Sequence, residues 1–153
     1  MKRILFVFAL MSTILLSACN AKNANNNNNE TKDMKTIELT KQDFLTKVAN
    51  FESSPNEWKY LGDKPAILQF HATWCGPCKA LTPVMQELAA EYDGQIYIYT
   101  IDIDKEPDLA SAFGIRSVPT LIFTPMEGQP QMGTGVMPKN TLKEAIDKTL
   151  LKK

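Results

Sequence analysis

The chain has 153 residues, 44% of them hydrophobic, with 17 basic and 17 acidic side chains and a formal net charge of zero. That length accommodates one domain with a sizeable core plus short extensions, and the neutral balance gives no footing for a nucleic-acid partner. With 3 cysteines and 1 histidine in all, four-ligand structural zinc chemistry has few candidate ligands.

In chain order, Lys2 and Arg3 precede an almost wholly apolar run, Ile4 to Leu16, which is too short for a comfortable membrane span. The run ends in Leu16-Ser17-Ala18-Cys19, with small residues where a signal peptidase cuts. Residues 1–18 are expected to be a signal peptide. This ending resembles a bacterial lipobox, which implies a lipid on Cys19 and attachment to a membrane. Ordinary secretion, with Cys19 left as a spare thiol, is the alternative. Loss of Lys2 and Arg3 leaves 17 − 2 = 15 basic residues against 17 acidic, a charge of −2. Residues 19–35 are expected to form a tether. They include the unbroken run Asn25 to Asn29 and too few apolar side chains to offset the entropy of ordering. Such a segment spans at most roughly 55 Å when extended, and about 20–25 Å as a flexible coil.

The folded domain is expected over residues 36–153. Thr36 to Leu39 reads as a short strand. Thr40 then caps a helix, with Asp43 three residues on and Phe44, Leu45, Val48 and Phe51 on its apolar face. Ser53 to Asn56 breaks that helix. Glu57 to Lys64 has no clear period, and its Trp58 and Tyr60 read as packing residues. Ala66 to Phe70 is a short apolar run, the pattern of a buried strand. A second helix follows at once. Leu81, Val84, Met85, Leu88, Ala89 and Tyr92 recur at helical spacing on one face, and Asp93-Gly94 supplies a C-terminal cap. Ile96 to Ile103, rich in Ile and Tyr, reads as a strand. Asp104 to Ala112 reads as a short helix with Pro107 in its first turn. Thr120 to Phe123 is a buried strand, Pro125 to Pro130 a turn, and Gln131 to Val136 a weak edge strand. Thr141 to Leu150 closes the chain as a helix with Leu142, Ala145, Ile146 and Leu150 on one face.

Chemistry concentrates at Trp74-Cys75-Gly76-Pro77-Cys78-Lys79, between a strand and a helix. Two cysteines three apart at a helix start can close a disulfide and reopen it. The helix N-terminus carries partial positive charge and unpaired N–H groups, which favour a thiolate on Cys75. Pro77 suits the first helical turn, where its missing N–H costs little. Two other roles for a cysteine pair are a zinc site and a structural disulfide. The first lacks ligands at suitable spacing, and the second has no need of Gly76-Pro77.

These residues closely resemble the thioredoxin family, whose active-site sequence is Trp-Cys-Gly-Pro-Cys-Lys. Pro83 matches the proline that kinks the family's active-site helix, and Phe113 to Thr120 looks like the loop carrying its cis-proline. The resemblance covers roughly Thr36 to Lys153. It implies an α/β fold with a central mixed sheet flanked by helices, in the order β-α-β-α-β-α-β-β-α. It also implies a thiol–disulfide oxidoreductase without cofactor or metal, expected as a monomer. Cys75 would attack a substrate disulfide as an exposed nucleophile, and the shielded Cys78 would then release the reduced substrate and leave a Cys75–Cys78 disulfide. Trp74 would shield one side of the pair. Val118, before a cis Pro119, would offer its backbone to an extended substrate strand, and Gly135 would let that strand approach.

Gly-Pro between the cysteines is the pairing of reducing members of the fold. The expected role is reduction of disulfides in envelope or secreted proteins, with electrons from a membrane thiol relay, by a lipid-anchored domain in the periplasm or otherwise outside the membrane. An oxidase or isomerase running the same chemistry the other way is a competing reading, as is a dithiol that holds a soft metal such as Cu(I). The chain departs from the family at two positions. Gln69 stands where a buried Asp is usual, and Thr100 where its Lys partner is usual, so both charges are replaced together. Gln cannot act as a base at neutral pH, so Gln69 supports the site by local hydrogen bonding or through water. His71, two residues on and on the same strand face, reads as a packed ring or as a proton carrier.

Overall fold

The structure, a computed structural model, describes residues 36–153. The expected signal peptide, Cys19 and the tether lie outside the described residues. Five strands form one mixed sheet: β1 (Ile37–Glu38), β2 (Ala66–His71), β3 (Tyr97–Asp102), β4 (Thr120–Thr124) and β5 (Gln131–Thr134). Their spatial order is β1-β3-β2-β4-β5. The first three are parallel, β4 runs antiparallel to β2, and β5 antiparallel to β4. Helices α1 (Lys41–Lys47), α2 (Gly76–Glu91), α3 (Pro107–Ala112) and α4 (Lys139–Ala145) supply the covering layers, and α4 runs on into a π-helical turn, Ile146–Leu150. This is the expected order of elements, with one added turn.

Strand β2 lies at the middle of the sheet, and alternation along it feeds two cores. Ala66, Leu68 and Phe70 join Phe44 and Val48 beside α1 and Leu109 of α3. Ile67 joins Leu81, Met85 and Leu88 of α2 with Leu142, Ile146 and Leu150 at the chain's end. The apolar stripe of α2 is thus the one its helical spacing predicts. Pro83 sits inside α2, where it removes one helical hydrogen bond. Gly94, at φ +74°, turns the chain out of the helix.

Several boundaries differ from the sequence reading. Helix α1 stops at Lys47, so Phe51 lies beyond it, yet its ring still packs edge-on to Phe44 and Phe113. The first strand shrinks to two exposed residues, because only Ile37 and Glu38 find register with Tyr99 and Thr100. Helix α3 starts at Pro107 rather than Asp104, since Asp102 to Glu106 form a turn in which Asp102 Oδ1 accepts the Asp104 N–H. Strand β5 ends at Thr134, and α4 begins at Lys139, ahead of Thr141. The segment from Glu57 to Lys64 is neither helix nor strand. Trp58 packs edge-on to Phe113, and the Tyr60 hydroxyl donates to Lys64 O, so both residues pack as expected.

Candidate active site

The site forms where β2 ends and α2 begins. Cys75 is the N-cap of α2, with extended backbone, and its sulfur accepts the Cys78 N–H at 3.1 Å. That bond satisfies one of the free amides of the helix start and directs positive charge at the sulfur. Pro77 occupies the first turn. Cys75 and Cys78 are joined in a disulfide. The sequence reading makes Cys75 the exposed cysteine and Cys78 the shielded one. In the disulfide form both are buried, at 4% and 2% exposure, because Ala72, Ile103 and Val118 pack around the pair. Gly76 and Pro77 face outward, and nothing lies within 4 Å of the position a side chain on Gly76 would take.

Two other stretches converge on the sulfurs. The Val118-Pro119 bond is cis, and Val118 O lies 3.6 Å from Cys75 Sγ. Gly135, at φ +86°, donates its N–H to Pro119 O at 2.8 Å, which ties the end of β5 to the proline loop. A side chain there would meet open space, but the left-handed backbone favours glycine. Trp74 is 66% exposed, and its ring is held by an Nε1–H bond to Asp104 Oδ2 at 2.9 Å. Exposed Val136 stands one residue beyond Gly135. The structure thus brings Trp74, Cys75, Gly76, Pro77, Cys78, Val118, Pro119 and Gly135 to one end of the sheet.

Gln69 is buried at 2% exposure, and its register partner on β3 is Thr100, so the two departures from the family pattern are neighbours. They line a cavity of about 140 Å³ with Thr36, His71, Thr82 and Met85, between the sheet and α2. Thr82 Oγ1 donates to Cys78 O at 3.0 Å, which places this cavity one helical turn below the second cysteine. No carboxylate lines it. Asp104 and Thr82 escaped the sequence reading. The available signal for Asp104 was Asp102-Ile103-Asp104 at the end of a strand parallel to β2.

The thioredoxin family model matches residues 35–148. The chain belongs to the thioredoxin family. It is 41% identical over 110 residues to a thioredoxin of Borreliella burgdorferi, covering 72% of this chain and 93% of that one. Over 88 residues it is 40% identical to thioredoxin 1 of a Nostoc species, covering 58% and 82% of the two chains. The crystal structure of a chloroplastic thioredoxin z superposes with a TM-score of 0.63 at 26% identity, covering 74% of this chain and 93% of that one. The fold is therefore the thioredoxin fold, and the chain is a thiol–disulfide oxidoreductase.

Proposed function

We propose that this thioredoxin reduces disulfides of envelope or secreted proteins while anchored to a membrane through a lipid on Cys19. One observation carries the chemistry: a disulfide at the N-terminus of α2, beside the Val118-Pro119 loop and with the Cys78 amide aimed at Cys75. Cys75 thiolate attacks a substrate disulfide, and one substrate sulfur leaves as thiolate. Cys78 then attacks Cys75, the second substrate sulfur leaves, and two electrons have passed to the substrate. Val118, Pro119 and Gly135 form the floor for an extended substrate strand, with exposed Trp74 and Val136 at its sides. Gln69 and Thr100 support the pair from beneath. Gly76-Pro77 favours the reducing direction. The leader, Cys19 and the Asn-rich tether supply the location, and a membrane thiol relay supplies electrons.

The deciding experiment traps substrates on Cys75 with Cys78→Ser in the full chain. Cys75→Ser is expected to abolish insulin reduction, and Cys78→Ser to accumulate mixed disulfides with exported proteins. A Cys75→Ser protein that still turns over would refute the assigned nucleophile. Separately, labelled fatty acid should enter the wild type and not Cys19→Ala; equal labelling of the two removes the anchor.

A further inference from the structure

Release of substrate needs Cys78 as a thiolate, because the thiol is a poor nucleophile. Cys78 is buried, so its proton must leave through the protein or through water. The cavity one turn below it offers a route: about 140 Å³ lined by Thr36, Gln69, Thr82 and Thr100, where one water needs roughly 10–15 Å³ of such space. Amides and hydroxyls can pass a proton along but cannot keep it at neutral pH. One side chain lining the cavity can, and that is His71, the only histidine of the chain.

We propose that His71 takes up the Cys78 proton through water in this cavity, and so sets the pH dependence of substrate release. His71 ends β2 next to Ala72, which shares one buried cluster with the two cysteines. Its register partner on β3 is Asp102, buried and on the same sheet face, as the alternation of Ile98, Thr100 and Asp102 requires. Around His71, then, β3 contributes the carboxylate of Asp102 and, just beyond it, that of Asp104. Helix α2 contributes uncharged Thr82 and Met85 to the cavity's lining, and the chain before β1 contributes uncharged Thr36. His71 acts through water, so it holds the proton without touching sulfur.

The Cys78 S–H proton passes to the imidazole. The new thiolate attacks Cys75 Sγ, the Cys75–Cys78 bond forms, and the bond from Cys75 to the substrate sulfur breaks. Substrate leaves as a thiolate and takes a proton from the imidazolium or from water. When a donor dithiol later reduces the pair, the imidazole, protonated again from solvent if it has given its proton to the substrate, returns a proton to departing Cys78.

The inference rests on the reductase reading, and its test separates the two. Full chain carrying Cys19→Ala, to remove the third thiol, is mixed in single turnover with dithiobis(nitrobenzoate), which releases one coloured thiolate at Cys75 attack and a second at Cys78 attack. His71→Gln is expected to slow the second release about 100-fold at neutral pH, within the range for a lost general base. That rate should then rise tenfold per pH unit, and added imidazole should restore part of it, while the first release keeps its rate. A second release unchanged in rate and pH profile overturns the proposal, as does equal slowing of both releases. The wild type gives an independent reading, since its single imidazole is unambiguous by NMR. The His71 titration should move between dithiol and disulfide forms, and identical titrations overturn the proposal. Failure of Cys78→Ser to form any mixed disulfide would instead sink the reductase reading.

Discussion

The two faces of β2 come from alternate residues of one six-residue strand, yet they differ in kind. Towards α1 and α3 the face is apolar from end to end: Ala66, Leu68 and Phe70, backed by Tyr99 and Ile101 of β3. Towards α2 it starts with Ile67 and Ile98 in the core and turns polar through Gln69 and Thr100 to His71 and Asp102. The polar end is the one that leads into the cysteines. Parallel strands bring corresponding residues side by side, so polarity on β2 is matched by polarity on β3. The apolar face secures the fold, and the graded face replaces the family's charged pair with uncharged Gln69 and Thr100.

The comparison breaks most severely at Phe70, which is fully buried and packs against Phe113. Phe70→Ala should cost about 3–5 kcal/mol in denaturant melts. A loss under about 1 kcal/mol would show that the α1 and α3 side does not dominate stability.

On the other face, Gln69→Asp should cost about 1–3 kcal/mol above neutral pH, since it places a carboxylate in a buried site without a cation. Burial should raise the acid's pKa in the fold. Its contribution is then fully present below the unfolded value and is lost as pH rises through the raised folded value. Because Gln69 and Thr100 are register partners, Gln69→Asp with Thr100→Lys should recover part of the loss. Stability measured against pH for both variants checks this, and flat curves for Gln69→Asp would contradict the burial of that position.

The smallest effect sharpens the comparison at high pH. Burial pushes the Tyr99 phenol up to about 12, and Tyr60 moves in the same direction for the same reason. Both lie on the aromatic side. A raised phenol stabilises the fold below its ordinary value of 10, and that contribution is lost as pH rises through about 12. Tyr99→Phe should therefore shift the alkaline unfolding midpoint upward. An unchanged midpoint would place the alkaline limit on the α2 side.

Much of this was legible in the chain. Trp74 to Lys79 identified the redox pair, and the spacing of Leu81, Met85 and Leu88 gave the face of α2 that is buried. The substitution of Gln69 and Thr100 was visible as a coupled departure. Element ends were read less well. The sequence starts a helix at Asp104, whereas the Asp104 N–H donates to Asp102 Oδ1 and so belongs to the preceding turn.

The features legible in the chain alone are local: helical and strand periods, the cap at Cys75, the proline within α2, and the two cysteines one turn apart. Those follow from repeats and residue types within a few positions of one another. The burial of both cysteines in the disulfide, the bond from Trp74 to Asp104, the register of His71 with Asp102, and the polar cavity that His71 lines come from contacts between distant parts of the chain. The physical reason is register. Pairing of β2 with β3 is set by the packing of both strands against α2, and a one-residue slip would turn Gln69, His71, Thr100 and Asp102 into the aromatic core.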